Sequence, residues 1–494
     1  MNTPISQLIT MPEGKTLEFK RDISSPKNII KTLVAFANTA GGRLVIGVED
    51  DTREVRGVVN PLDEEERLCD LIADGIAPRL VPNVELMSIE DKTLLSVEVY
   101  PSGQRPHWVK KEGHDEGVYV RLGSTNRKAD RELIAELKRT SAGTSFDELP
   151  LPDLSVEALD IVAAKELFKG KRELGEREIV SLKMLAEEQG HLVPTIGGVL
   201  LFGKEREERF PDVWIQCGRF EGTTKSVIFD HIEIHEHLPI AVEHVIDFIK
   251  KHSMRGADLS QIKRRDVWSI PLDIVREAVI NAIVHSDYSQ IGAPLRVAIY
   301  DDRVEIENPG ILVPGMTVED VKQGVSKIRN RVIARVFREL GLVEQWGSGV
   351  PRIFEEAESL QLPEPKIEEI GMRVRFTIYL KESAIRSLSK GPSGNQVGTK
   401  SGPSRDQVGT KFGLTTEQIK VLHACVEDSG ILELMSVTER SNRTKFRNNV
   451  LIPLLSNGFI EMTIPEKPTS SKQKYRLTPN GRAFLTREKK VKKE

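Results

Sequence analysis

The stretch Pro271–Tyr288, PLDIVREAVINAIVHSDY, decides how this chain is read. Asp273, Glu277, Asn281 and His285 recur every four residues, so an α-helix would carry them as one polar stripe. Beside that stripe stand Ile274, Val275, Ala278, Val279, Ala282 and Ile283, enough apolar surface to bury most of the helix. Polar groups on buried ground are costly unless something satisfies them, so a ligand, a metal ion or an internal polar network is expected there.

With 494 residues the chain is too long for one core, and roughly three or four domains are expected. Hydrophobic residues make up 39% and charged residues 29%, which suits folded domains better than disorder. No apolar run reaches the length of a membrane span. The start, MNTPISQLITMPEGK, lacks the basic-then-apolar order of a secretory signal, so the expected location is cytoplasmic. Cys69, Cys217 and Cys425 are scattered, with neither metal-pair nor disulfide spacing. The net charge of -3 means that a nucleic-acid partner has to be met by local basic patches.

Residues 1–140 alternate strand and helix signals and read as α+β. An extended run, Thr16 to Lys20, follows the turn-like Met11-Pro12-Glu13-Gly14. A helix is expected from Pro26 to about Ala40, capped by Ser24 or Ser25 and ended by Gly41-Gly42. Strands are expected over Arg43–Glu49, Val55–Val59, Val84–Ile89, Leu94–Tyr100 and Gly117–Leu122. Residues 141–155, rich in Ser, Gly, Pro and Asp, read as a linker, and residues 156–382 as a second α/β domain. Within it, two amphipathic helices are expected between Val156 and Gln189, then a turn into a buried strand over Pro194–Phe202. Strands over Trp214–Phe220 and Ser226–Ile234 and a helix over Leu238–Lys251 lead to the central stretch.

After Lys381 the composition changes. GPSGNQVGTK from Gly391 and GPSRDQVGTK from Gly402 form an imperfect 11-residue repeat, too poor in apolar groups for a core, so residues 383–414 read as a flexible tether. Residues 415–486 then give the order of a winged helix-turn-helix: three helices, the strand FIEMTI, a polar loop, the strand KYRLT and a last helix, followed by the basic tail 487–494. Arg443, Lys445 and Arg447 fall on the expected recognition helix, and Lys472 and Lys474 in the wing. The charge of about +6 over residues 415–494, tail included, is opposite in sign to that of the whole chain and points to nucleic-acid binding there.

Three resemblances add to this reading. The segments TLEFK, AFANTAGGRLVIGVEDD and VYVRLGSTNRKA resemble the Schlafen AlbA_2 (divergent AAA) domain, which implies a nucleic-acid-binding fold. Some relatives of that domain are metal-dependent ribonucleases. The resemblance places their three acidic residues at Glu13, Glu18 and Asp50, implies Mg²⁺ or Mn²⁺ as their ion, and makes Lys20, Arg121 and Arg127 the phosphate contacts. Hard oxygen ligands are what such an ion takes.

Glu277 and Asn281 have the four-residue spacing of the GHKL ATPase N-box. REAVINAIVHSDY with DDRVEIENPG, SKIRNRVIARVF and GLVEQWGSGVPRI resembles the ATP-binding domain that follows AlbA_2 domains and is often labelled RecG-like. The resemblance implies ATP and Mg²⁺ as cofactors. Asn281 would give its amide oxygen to Mg²⁺, Glu277 would orient or deprotonate the attacking water, and Asn308, Gly310, Gly347 and Gly349 would complete the nucleotide site. Related enzymes carry an aspartate for the adenine amino group; here Asn308 takes its place and can accept that bond only through its amide oxygen. Residues 326–349 would form a lid.

The expected function is a cytoplasmic, ATP-binding, nucleic-acid-binding regulator, in transcription or antiviral defence, whose GHKL-like domain switches with nucleotide. The alternative is a Schlafen-like metal-dependent nuclease under ATP control. Expected partners are nucleic acid, DNA or RNA, and a homo-oligomer is compatible; no membrane partner is expected. A P-loop helicase is excluded by the lack of any G-x-x-x-x-G-K-[ST] motif.

Overall fold

Helix-forming periodicity in the chain's centre and strand-forming alternation on either side of it give a multidomain α+β architecture, in which the central helix is packed on a sheet. A computed structural model describes residues 4–50, 52–253, 255–258, 265–268, 270–343, 349–380, 416–438, 446–451, 454–455, 459–463, 473–479, 481–482 and 485. The chain forms two compact units, Met1–Ser393 and Gly394–Glu494. Among the described residues no helix is long and apolar enough to cross a membrane.

The first unit begins with β1 (Leu17–Lys20), α1 (Pro26–Asn38), β2 (Gly42–Ile46), α2 (Pro61–Gly75), β3 (Asn83–Ile89) and β4 (Lys92–Val99). The strands form one sheet in the order β1-β2-β4-β3, with β1 and β2 parallel and the other pairs antiparallel. Ile29, Leu33 and Phe36 of α1 share a buried core with Leu44, Ile46, Leu95 and Val97 of the sheet. A hairpin, β5 (Tyr119–Leu122) and β6 (Thr125–Lys128), leads to α3 (Arg131–Ser141), whose first turn is capped by the Asp130 carboxylate accepting from Leu133 N–H.

The strand expected over Val55–Val59 is reduced to a single bridge between Val48 and Val55. Gly57 adopts φ +78, which no extended run tolerates, and its N–H turns back to Gly47 O. Helix α2 has the signal of Pro61 in its first turn with Asp63 and Glu64 beside it, a cue the strand pattern masked.

Residues 141–155 are not an open linker. Asp147 is fully buried and accepts from the backbone N–H of Arg331, Val332 and Ile333 at 3.0, 2.7 and 3.0 Å, so it caps a helix nearly two hundred residues away in sequence. Ser and Asp compose linkers and helix caps alike, and composition does not distinguish them.

The rest of this unit contains α4 (Ile196–Phe202), β7 (Ile215–Phe220), β8 (Ile228–Ile234), α5 (Leu238–Lys251), α6 (Leu272–His285), β9 (Leu295–Ile299), β10 (Arg303–Pro309), α7 (Arg331–Glu339), α8 (Gly349–Ser359), β11 (Lys366–Ile370) and β12 (Arg373–Tyr379). The strands form a six-stranded sheet, β8-β7-β9-β10-β12-β11; β7 and β9 are parallel and the other neighbours antiparallel. Along β10 the faces alternate. Val304 and Ile306 join the buried core that includes α5, α6 and α8, while Glu305 and Glu307 pair with Arg303 and Arg375. Pro194–Phe202, expected as a turn into a strand, is instead helical from Ile196, because Thr195 Oγ1 caps it by accepting from Gly198 N–H at 3.0 Å. Of the two helices expected over Val156–Gln189, Ile161–Phe168 forms in full and Glu176–Ser181 stops short, before the hairpin Leu185–Glu188 with His191–Pro194.

In the second unit, α9 (Thr416–Ala424) and α10 (Ile431–Val437) precede a π-helical turn, Arg447–Leu451, and the strands β13 (Ile460–Met462) and β14 (Lys474–Leu477). Ser429–Gly430, β14 and β13 pair in that order. Val421, Leu422, Leu434, Phe446, Leu451, Tyr475 and Leu477 build its core. The repeat at 391–411 and the basic tail lie outside the described residues.

Candidate functional site

The periodic stretch folds as read: α6 buries Ile274, Val275, Ala278, Val279, Ile280, Ala282, Ile283 and Val284. Its polar stripe, apart from the exposed Asp273, faces a cavity of about 490 Å³, within the size range of small-molecule sites. Glu277, Asn281 and His285 line it together with Asn308 from β10, Gly349 from α8 and the segment Ser326–Ile328.

Hydrogen bonding orients the two asparagines. Asn281 Nδ2 donates to Glu277 O at 2.9 Å and to Glu277 Oε1 at 3.0 Å. Asn308, itself buried, directs Nδ2 to Pro309 O at 3.1 Å and His285 O at 3.4 Å. Each amide nitrogen is therefore engaged by the protein, and the carbonyl oxygen is the group each asparagine has left for a ligand.

Gly349 stands so close to Glu277 that a Cβ there would meet Oε1, so any side chain at this position would push the carboxylate aside. Gly310 lies next to Asn308 with φ +96, hemmed in by Arg329 and Asp287. Gly347 lies outside the described residues. Burial pushes the His285 imidazole down to about 4, with the neighbouring Arg329 acting in the same direction, so His285 is neutral at pH 7.

The segment that closes the cavity is held by the N-terminal sheet region. Ile311 packs in a buried cluster with Val118, Val120, Leu133 and Leu137. Gly315 N–H donates to Thr39 O at 2.7 Å. Lys15 Nζ pairs with Glu369 Oε1 at 2.7 Å, and the same oxygen accepts from Leu312 N–H at 2.8 Å. Arg329 Nη2 lies 2.9 Å from Glu136 Oε1, both side chains buried. Burial raises the Glu136 carboxyl and lowers the Lys15 ammonium, each opposed by its ionic partner. Nothing local in sequence marks these pairs, which join residues up to 354 positions apart.

The N-terminal carboxylates are arranged differently. Glu18 on β1 is buried, paired with Arg121 through one oxygen and with Lys20 Nζ at 2.9 Å through the other. Lys20 Nζ also donates to Asp50 Oδ2 at 2.8 Å, so one ammonium stands between Glu18 and Asp50. Glu13 Oε1 accepts from Phe19 N–H at 2.9 Å, with Arg53 Nη1 at 3.8 Å. The oxygen ligands have the chemistry a divalent ion needs, but in this arrangement they answer to cations of the chain, and the set does not fit a metal. Among the described residues no group of three or more His, Cys, Asp or Glu is placed to hold one.

Of the expected phosphate contacts, Arg121 is an interior residue. It is fully buried over the Phe36 ring, pairs with Glu18, and donates to Gly14 O at 3.1 Å and Asn126 Oδ1 at 2.9 Å. A guanidinium satisfied on this many sides ties the fold together and does not reach a phosphate. Lys20 is engaged as described, and Arg127 is exposed on β6. In the second unit Arg447 and Lys474 are exposed, while Arg443, Lys445 and Lys472 lie outside the described residues.

Comparison with known proteins gives the class. Residues 13–130 match the family described as Schlafen, AlbA_2; residues 292–378 match the putative ATP-dependent DNA helicase recG C-terminal family; residues 417–478 match the filamentation induced by cAMP protein Fic-like, C-terminal domain. The chain is thus a multidomain protein carrying an AlbA_2 region and an ATPase-like region of the recG C-terminal type. The second match starts beyond α6, so Glu277 and Asn281 lie outside it while facing the same cavity as residues within it.

Among solved structures, the chain is similar to the DIP2311 protein from Corynebacterium diphtheriae at 18% identity, over 98% of this chain and 97% of that one, with a TM-score of 0.41. It is also similar to the N-terminal domain of a putative ATP-dependent DNA helicase RecG-related protein from Nitrosomonas europaea at 26% identity, over 26% of this chain and 94% of that one, with a TM-score of 0.22. A Fic family protein from Desulfovibrio desulfuricans G20 matches at 14% identity, over 71% and 77%, with a TM-score of 0.13. No curated protein matches the chain.

Proposed function

We propose that the protein is an ATP-binding, nucleic-acid-associated regulator whose ATPase-like region binds ATP with Mg²⁺ in the 490 Å³ cavity. The observation that carries this reading is the pair of asparagine oxygens, Asn281 Oδ1 and Asn308 Oδ1, left as acceptors on the cavity wall by amide nitrogens already bonded to the chain. Asn308 Oδ1 accepts from the adenine amino group. Asn281 Oδ1 suits a hard cation whose other ligands are phosphate oxygens. Bound Mg²⁺ supplies charge neutralisation on the phosphates. Glu277, held by Asn281 and given room by the absence of a side chain at Gly349, orients the attacking water.

Nucleic-acid association rests on the AlbA_2 and recG-type regions, with the exposed Arg127, Arg447 and Lys474 as contacts. A winged-helix role for residues 415–486, transcriptional or antiviral regulation, a cytoplasmic location and a homo-oligomer belong to the same reading. The regulatory element is the segment Ile311–Arg329, because it borders the cavity and is bonded to the N-terminal region through Thr39 and Glu136. The reading is tested by nucleotide choice. The wild type binds ATP in preference to GTP, whose base offers an acceptor where adenine offers a donor, and Asn308→Leu abolishes the preference. Equal affinity of the wild type for both nucleotides sinks the assignment of Asn308.

A further inference from the structure

A second cavity, of about 530 Å³, is lined by Glu136, Arg139 and Thr140 of α3 and by the segment Ser326–Arg338. Ser326, Lys327, Ile328, Ala334 and Arg338 border both this cavity and the nucleotide cavity. Its own walls are unusually charged: seven Arg or Lys side chains line it against two carboxylates, Glu136 and Asp287. Arg105 and Arg139 belong to this cavity alone, and both come from the N-terminal region.

The cations here are not fully answered by the chain. Arg105 Nε and Arg329 Nε are buried with no hydrogen-bond acceptor, and neither oxygen of the buried Glu136 accepts a hydrogen bond despite its ion pair with Arg329. Asp287 is committed to Ser289 and Gln290. Burial lowers the guanidinium pKa of Arg105 and of Arg139, with Glu136 the opposing influence on each. Buried donors without acceptors, in a space this large with so positive a lining, are what a multiply charged anion relieves.

We propose that this cavity is a binding site for a polyphosphate group, presented by a small molecule and held by Arg105 and Arg139 from one region and the Ser326–Arg338 segment from the other. Free inorganic polyphosphate and the phosphate tail of a second nucleotide share that chemistry. A phosphate chain bound there touches the same segment that borders the nucleotide cavity, and so couples the N-terminal region to it. The site does not depend on whether the neighbouring cavity takes ATP.

The test is calorimetric titration of the full chain with sodium tripolyphosphate, using Arg105→Gln with Arg139→Gln, which keep most of the stem length, and Asn281→Ala, which touches only the other cavity. The double variant is expected to weaken binding by about tenfold or more, and Arg67→Gln, an exposed change on α2 outside both cavities, is expected to leave it unchanged. Thermal melts without ligand establish that the double variant is folded. If it is not, the single Arg105→Gln variant is titrated, with the same loss expected in smaller degree. ADP competing with tripolyphosphate identifies the nucleotide-tail source, and failure to compete the free anion. Undiminished binding by the arginine variants, or loss only in Asn281→Ala, overturns the proposal. So does competition by an oligonucleotide that is lost in the same arginine variants, which would assign the cavity to a nucleic-acid backbone.

Discussion

The two acidic motifs of this chain met opposite fates on folding. Around Glu18 and Asp50 the protein supplies its own cations, Lys20 and Arg121, and closes the charge balance internally. Around Glu277, Asn281 and Asn308 it spends the amide donors on its own backbone and side chains, and leaves acceptor oxygens on a cavity wall. Motif residues of the right type are thus present in both places, and the groups that neutralise them decide which place has capacity for a ligand.

The largest expected effect breaks the internally balanced side. Glu18→Ala leaves Arg121 as an unpaired buried charge and is expected to cost about 3–5 kcal/mol of stability by denaturant titration. The same purified wild type, incubated with Mn²⁺ and tRNA, single-stranded DNA or duplex DNA, is expected to leave all three intact. Cleavage that disappears when Asp50→Asn, an exposed-side change, is introduced would restore the nuclease reading.

The next effect sharpens the ligand side. Gly349→Ala forces the flexible end of Glu277 aside without touching backbone, so the fold is expected to survive while ATP turnover falls roughly a hundredfold. Turnover at the wild-type rate would remove Glu277 from the reaction.

A smaller effect concerns His285. Its folded-state value is depressed to about 4 from an ordinary 6.5, so the folded protein disfavours the extra proton. Stability from this group is complete above about 6.5 and is lost as pH falls toward 4. Asp147, raised to about 6 by burial, pulls in the opposite direction over the same window, since its neutral form is the favoured one when folded. The His285 contribution therefore has to be read as a difference: relative to His285→Gln, the wild type is expected to lose stability steadily between pH 6.5 and 4. A pH-independent difference contradicts the burial of a neutral imidazole.

Sequence made the ligand-side helix legible because its pattern is local. A four-residue polar stripe in an apolar run means the same thing wherever the helix is placed, and Leu238–Lys251 was legible for the same reason. What escaped was decided by partners far along the chain. Asp147 reads as linker until the N-terminus of α7 arrives to be capped, and Arg121 reads as a surface cation until Glu18 and Phe36 enclose it. The Glu136–Arg329 pair has no local signature, since each residue alone is an ordinary charge on an amphipathic helix or loop. Asn308 was the ambiguous case. Its proposed role depends on which end of an amide faces the cavity, and the sequence does not show the carbonyls of His285 and Pro309 that take its Nδ2.

The most direct measurement is calorimetric titration of ATP into the full chain with and without Mg²⁺, for the wild type and Asn281→Ala. Saturable wild-type binding that strengthens with Mg²⁺, and an Asn281→Ala variant in which the Mg²⁺ enhancement is gone, is the expected result. Binding by Asn281→Ala that is undiminished and still enhanced by Mg²⁺ would contradict the site.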